Sequence, residues 1–274
     1  MTAVVTAADG TRLAWEEAGA GKPVLALAGL TRNARDFDHV APHLAGVRLI
    51  RMDSRGRGRS DRADPATYTV TQEAADVLVL LDHLGLDRVA VLGTSRGGLI
   101  ALALAAMARG RLTGVAFNDI GPEVGARGLD VIEGYLGRRP AQATWAAAAE
   151  ARAKAWTAFR DVPMARWLAE VRGQFEERSD GLHLRYDPAL RETFMAARQR
   201  PVPDLWPLFD ALGGLPLLCL RGSQSDILTR PTFAEMRRRR PDMIAVSVAG
   251  RGHVPFLDEP EALAGLTRWV EMLP

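Results

Sequence analysis

Several of the usual signposts of function are scarce in this 274-residue sequence. There is one cysteine, Cys219, so no intrachain disulfide can form, and without a CxxC pair nothing suggests a zinc ribbon or a dithiol redox centre. Lysine is nearly missing: only Lys22 and Lys154 occur, and arginine supplies the rest of the positive charge. The 35 basic and 33 acidic residues leave a formal net charge of +2, too balanced to mark a nucleic-acid surface. The densest basic run, residues 237–240, ends a helical stretch before Pro241, where cations complement the helix dipole, and it is read as a solvated helix end. Long hydrophobic runs are also lacking. The longest helical one, residues 99–108, is about half of the ~20 residues a membrane span needs. The opening MTAVVTAADG has neither the basic nor the apolar region of a signal peptide. No fixed-period repeat is visible. The expectation is a soluble, cytoplasmic chain with no nucleic-acid or membrane partner.

What remains is an ordinary globular composition, 47% hydrophobic and 25% charged, which argues against disorder. The length suits one α/β core with an insertion. The text first alternates as a hairpin does, through residues 4–6, an Asp9-Gly10 turn and residues 12–15. Short apolar runs then alternate with helix-compatible stretches. Strands are predicted at 24–28, 47–52, 88–92, 112–117, 216–220 and 244–248. Helices are predicted at 36–44, from Thr71, at 99–107, near 231–240 and at about 260–272. Continuous apolar strands alternating with helices imply a mostly parallel sheet covered on both faces. The rhythm breaks at Gly121-Pro122, and from there to about Leu212 the text reads as helical, Ala- and Arg-rich, with no convincing strand. A core of residues 1–121 and 213–274 with a helical cap at 122–212 follows.

Gly93-Thr94-Ser95-Arg96-Gly97 lies between a predicted strand and a predicted helix, the context that a G-x-S-x-G nucleophile elbow requires. The glycines suit a sharp turn that lifts the Ser95 hydroxyl clear of the sheet, and the helix start aims N–H groups at developing negative charge. Serine needs an adjacent base. Of the five histidines, His39 and His43 are four apart, but Pro42 lies between them and no acid completes a metal motif. His83 ends an amphipathic helix and His183 falls in the cap region. His253 alone follows a core strand in a Gly-rich loop at the sheet's carboxyl edge, and is the candidate base. Its partner acid is sought at the same edge. Asp226, after the strand at 216–220, is preferred over Asp119, whose Asp-Ile-Gly-Pro setting also reads as a turn into the cap.

The order Ser95, Asp226, His253 resembles that of the α/β-hydrolase fold enzymes. The resemblance runs along nearly the whole chain: Leu27-Ala28-Gly29-Leu30, the segment Asp53-Ser54-Arg55-Gly56-Arg57-Gly58-Arg59-Ser60, the elbow, Arg221-Gly222 with Asp226, and Gly252-His253. It implies that the backbone N–H groups of Leu30 and Arg96 form the oxyanion hole, and that no cofactor or metal is used. Two positions depart from the family pattern. Ala28 stands where a histidine is usual, and Arg96 replaces an apolar or amide side chain; its guanidinium is expected to pair with an acid beneath the site rather than to bind substrate. Arg55, Arg57 and Arg59 among glycines lack the spacing and lysine of a phosphate loop, and the resemblance makes them a structural turn. The cap tryptophans Trp145, Trp156, Trp167 and Trp206 suit either an acyl pocket or cap packing. The expected activity is hydrolysis of a small-molecule carboxylic ester or lactone. A C–C bond hydrolase of ring-cleavage products, a cofactor-free perhydrolase and a slow-turnover ligand receptor are the alternatives on the same fold. Short p-nitrophenyl esters set against vinylogous diketo acids separate the enzymes, and tight binding that survives Ser95→Ala marks the receptor.

Overall fold

A computed structural model describes residues 2–274. The predicted hairpin is present as β1 (Ala3–Thr6) and β2 (Arg12–Ala18), followed by β3 (Lys22–Leu27), β4 (Val47–Met52), α1 (Val70–His83), β5 (Val89–Thr94), α2 (Arg96–Ala108) and β6 (Leu112–Asn118). The segment before β9 carries α3 (Ala126–Tyr135), α4 (Trp145–Ala155), α5 (Met164–Gln174), β7 (Phe175–Arg178), β8 (Gly181–Leu184), α6 (Leu190–Arg198) and α7 (Trp206–Asp210). The chain closes with β9 (Leu217–Gly222), α8 (Arg230–Arg239), β10 (Ile244–Val248) and α9 (Pro260–Met272).

Eight strands form one sheet in the order β1-β2-β4-β3-β5-β6-β9-β10. β1, β2 and β4 meet antiparallel; every other pairing in the sheet is parallel. The parallel strands are mostly apolar because helices cover both faces, and β5 and β9 are buried along their whole length. One face packs under α1 and α2, where Val77, Leu80, Ile100 and Leu104 meet Leu25, Val91 and Phe117. The other packs under α9, where Leu266 and Trp269 meet Ala26, Leu92 and Leu218. From β3 the chain moves outward to β4, returns to β5 beside β3, and then proceeds in the opposite direction. A crevice therefore opens at the carboxyl ends of β3 and β5.

Three expectations need correction. The region 122–212 contains a strand pair after all: β7 and β8 form an antiparallel hairpin with Phe175 opposite Leu184. Ser179 and Asp180 make the turn, Gly181 opens β8 at φ +110, and Leu182 is buried against Trp167 and Val171. Two four-residue strands carrying Glu and Arg on their exposed face leave too faint an alternation to stand out from helical text. Residues 36–44 form two short 3₁₀ turns (Ala34–Phe37 and Ala41–His43) rather than one helix, with Pro42 in the second. Arg240 is not a solvated helix end: it is buried, and its guanidinium donates to the Leu212 and Leu215 carbonyls. Arg238 and Arg239 do lie at the surface end of α8, paired with Glu235.

The segment between β6 and β9 adds no strand to the main sheet and is tied to the loops of the core at several places. Tyr68 donates its hydroxyl to Asp187 at 2.7 Å, and Gly58 N–H reaches the Arg185 carbonyl at 2.8 Å. At the other end Asn33 donates to the Gly173 carbonyl, and Arg32 pairs with Glu170. No described helix is long and apolar enough to cross a membrane.

Candidate active site

Ser95 sits between β5 and α2 with φ +51 and ψ −115, a left-handed conformation that a serine adopts only under constraint. The neighbouring glycines make the turn possible. A Cβ on Gly97 would lie 2.1 Å from the Leu27 carbonyl oxygen, and one on Gly93 would lie 2.5 Å from the Gly98 nitrogen. Both obstacles are backbone and cannot yield. Although Ser95 holds the N-cap position, its hydroxyl makes no capping hydrogen bond to α2. Instead Ser95 Oγ lies 2.8 Å from His253 Nε2.

His253 occupies the loop after β10, as its sequence position suggested. Asn118 Nδ2 donates to the Pro255 carbonyl at 3.0 Å and thereby fixes that loop to β6. The other imidazole nitrogen, Nδ1, lies 2.7 Å from Asp119 Oδ2, not from Asp226. The preference for Asp226 is corrected to Asp119, for reasons of local geometry. Asp119 is the first residue beyond β6 and has no solvent exposure; at φ +59 its side chain turns across the sheet edge. Asp226 lies four residues past the end of β9, after a turn that presents Ser225 to the site instead. Ser225 Oγ donates to Asp119 Oδ2 at 2.6 Å, and Gly222 N–H donates to Oδ1 at 2.8 Å. The Asp226 backbone packs against the entry of the next segment, where a Cβ on Gly125 would lie 2.2 Å from its carbonyl oxygen. Asp119 was legible as a candidate; Ser225 was not, because nothing in Gly222-Ser223-Gln224-Ser225 distinguishes the serine that faces inward.

The two predicted oxyanion donors flank the nucleophile. A Cβ on Gly29 would lie 3.6 Å from Ser95 Cβ, so the Gly29-Leu30 turn runs beside it, and no backbone carbonyl among the described residues accepts the Leu30 N–H. Arg96 is the first residue of α2, where N–H groups have no intrahelical partner. Its side chain behaves as expected and turns away to an acid. Arg96 Nε donates to Glu73 Oε2 at 2.7 Å, and Nη2 donates to the Tyr68 carbonyl.

Glu73, on α1, also receives Arg57 Nη1 at 2.7 Å, and Arg57 Nε holds the Leu30 carbonyl at 2.9 Å. One buried carboxylate therefore braces both loops that carry the donors. Burial alone would raise the Glu73 pKa, but the Arg57 and Arg96 guanidinium groups hold it below the usual glutamate value. Arg57 thus has a structural task rather than a phosphate, and Arg55 is likewise committed, to Asp76 and Asp9.

A cavity of about 430 Å³ opens over Ser95 and His253, within the range for small-molecule sites. Trp156 and Phe256 line it, whereas Trp167 is buried behind them and meets Phe256 edge-on at 6.0 Å. Trp206 lies elsewhere, donating to Glu123. Trp145 packs on the same satellite cluster as Trp167. His39, His43, His83 and His183 play no part in the site, and no group of three or more His, Cys, Asp or Glu suited to a metal occurs among the described residues.

Comparison with known proteins bears on the family and the fold. The family model described as "Alpha/beta hydrolase family" matches residues 24–266. A 3-hydroxybutyrate-oligomer hydrolase of Cupriavidus necator is 35% identical over 271 residues, covering 92% of this chain and 90% of its own. A crystal structure of an alpha/beta hydrolase from Novosphingobium aromaticivorans superposes with a TM-score of 0.93 at 40% identity, over 100% of this chain and 98% of the other. A 2-(acetamidomethylene)succinate hydrolase of Mesorhizobium japonicum is more distant, 24% identical over 93% of this chain and 90% of its own.

Proposed function

The chain belongs to the alpha/beta hydrolase family and has its fold, and from that premise we propose that it is a serine hydrolase of carboxylic esters, working through an acyl-enzyme on Ser95. The observation that carries this reading is the continuous chain Ser95 Oγ, His253 Nε2, His253 Nδ1, Asp119 Oδ2, with links of 2.8 and 2.7 Å. Asp119, a buried acceptor, fixes the tautomer in which Nδ1 carries the proton and Nε2 is free to take one. As Ser95 attacks the ester carbonyl carbon, its proton passes to Nε2. The carbonyl oxygen becomes an oxyanion, which the Leu30 and Arg96 N–H groups receive; one such donor is worth about 2.7–4 kcal/mol. His253 then gives its proton to the departing alkoxide, and the alcohol leaves. Water enters, loses a proton to His253 and attacks the acyl carbonyl, and collapse returns Ser95 and a free acid.

Residues 122–212 act as the cap over this chemistry, and their wall of Trp156 and Tyr135 limits solvent at the acyl group. An ester of a short hydroxy acid is the preferred substrate, because the relative that is 35% identical over nearly the full chain is named for 3-hydroxybutyrate oligomers. The test is a panel of linear hydroxy-acid esters, p-nitrophenyl esters and lactones, assayed with wild type and Ser95→Ala in parallel. Ester turnover that falls by at least about 10³-fold in Ser95→Ala is expected. Turnover retained by Ser95→Ala overturns the mechanism.

A further inference from the structure

The cavity over Ser95 carries an excess of one charge. Five arginines line it against two carboxylates, Asp36 and Glu170. Most of the cations are committed. Arg32 pairs with both Asp36 and Glu170, Arg166 with Glu170 and Asp258, and Arg139 with Asp180. Arg138 and Arg152 form no ion pair among the described residues; Arg138 is exposed to solvent, whereas Arg152, on α4, is partly buried. Its Nη2 donates to a neutral acceptor, Gln174 Oε1, and its guanidinium lies over the Trp156 ring at 4.9 Å and the Phe175 ring at 5.6 Å. Its Nη1 is buried with no hydrogen-bond partner.

A buried N–H left without an acceptor is costly, and more so on a charged group. Burial, followed by the neighbouring charge of Arg32, depresses the Arg152 pKa to about 10, which still leaves it cationic at neutral pH. Glu170 and Asp36 contribute to the field at Arg152, but each of their oxygens already accepts from Arg32 or Arg166 and none accepts from Arg152. The aromatic rings hold the guanidinium plane in place at little further entropic cost. An oriented, desolvated cation with a vacant donor, in the same cavity as the nucleophile, is built for an anion.

We propose that the substrate is an ester bearing a free carboxylate, and that Arg152 receives that carboxylate while the ester carbonyl lies at Ser95. This rests on the ester-hydrolase reading and narrows it: a hydroxy-acid ester with its acid terminus unblocked is taken, and the same ester with that terminus methylated is discriminated against. Arg152 lines the cavity with a donor left unpartnered, and a small turn of its guanidinium gives that N–H an acceptor when such a substrate is bound.

The test measures binding, so that it does not depend on turnover. The linear 3-hydroxybutyrate dimer as its free acid, and the methyl ester of that dimer, are titrated calorimetrically into Ser95→Ala, Ser95→Ala/Arg152→Gln and Ser95→Ala/Arg152→Lys. With Arg152 in place the acid binds more tightly than its methyl ester, and Arg152→Gln shrinks that preference by about tenfold or more, the value of one hydrogen bond to a charged group. Arg152→Lys keeps part of it, since the charge remains and the fork is lost. No preference in Ser95→Ala, or the same preference in the Arg152→Gln variant, overturns the proposal. So does an equal weakening of both ligands together with a lowered melting temperature, which would make Arg152 a packing strut of α4. Cleavage of the two esters by wild type is scored separately and bears on the hydrolase reading alone.

Discussion

Replacing Asp119 by asparagine isolates the acid's electrostatic task from its shape. Asp119 Oδ1 accepts the Gly222 N–H at 2.8 Å, and Oδ2 accepts Ser225 Oγ–H at 2.6 Å and His253 Nδ1 at 2.7 Å. An amide has one oxygen and one NH₂, and neither orientation serves all three partners. If the NH₂ faced Gly222, two donors would oppose each other in a fully buried place, at a cost of about 1–3 kcal/mol. The preferred orientation keeps the oxygen on Gly222 and turns the NH₂ toward Ser225 and His253. Ser225 adapts by rotating its hydroxyl. His253 adapts only by offering an unprotonated Nδ1, which puts the proton on Nε2, facing Ser95. A base in that tautomer cannot take the serine's proton. In a serine protease with the same arrangement this change lowers kcat about 10⁴-fold, or roughly 5 kcal/mol at 1.36 kcal/mol per decade. Asp119→Asn is expected to lose about 10³–10⁴-fold in kcat on any ester the wild type cleaves, with the fold intact by circular dichroism. Asp226→Asn, whose side chain contacts neither Ser95 nor His253, should lose less than about threefold, as suits a change outside the reacting groups. An Asp119→Asn enzyme with more than a tenth of wild-type kcat, or a deeper loss in Asp226→Asn, refutes the assignment.

Other consequences are simpler to state. Glu73→Gln leaves Arg57 and Arg96 without their shared anion, and breaking a buried pair in this way costs about 3–5 kcal/mol, readable in urea unfolding; a loss below about 1 kcal/mol would contradict the bracing role. Because the Glu73 carboxylate is held below its usual pKa, its stabilisation is complete above about pH 4–5 and is lost as pH falls through the depressed value. The stability gap between wild type and Glu73→Gln should therefore narrow on acidification, and a gap that widened would have the wrong sign. Gly97→Ala places a Cβ 2.1 Å from the Leu27 carbonyl, so the elbow must open and both expression and kcat should fall sharply.

The elements that the sequence announced clearly are those whose local and global demands coincide. Both faces of β5 and β9 are buried, so their text is largely an apolar run bounded by breakers, and the elbow glycines are dictated by backbone contacts a few residues away in the chain or one strand across. Pairings set by the course of a loop are not written in that way. Asp119 and Asp226 both follow a parallel strand at the same edge, and composition treats them alike. What separates them is that the chain leaves β6 through a left-handed residue directly at the edge, while beyond β9 it spends three further residues in a turn that leaves Ser225 facing the site. The β7–β8 hairpin escaped for a related reason: its stability comes from Leu182 packing on Trp167 and Val171, contacts made across the cap rather than along the strand. Arg152 shows the limit most clearly. In Ala-Glu-Ala-Arg-Ala-Lys-Ala it reads as a solvated helix residue, and only the fold sets it over Trp156 and Phe175 in a cavity whose two carboxylates are paired with Arg32 and Arg166. Ser95 and His253 were therefore recognisable by type and spacing, because the proposed reaction constrains them, whereas the choice between two acids was not. Arg152, the group proposed to select a substrate, became recognisable only once its unmet hydrogen bond could be counted.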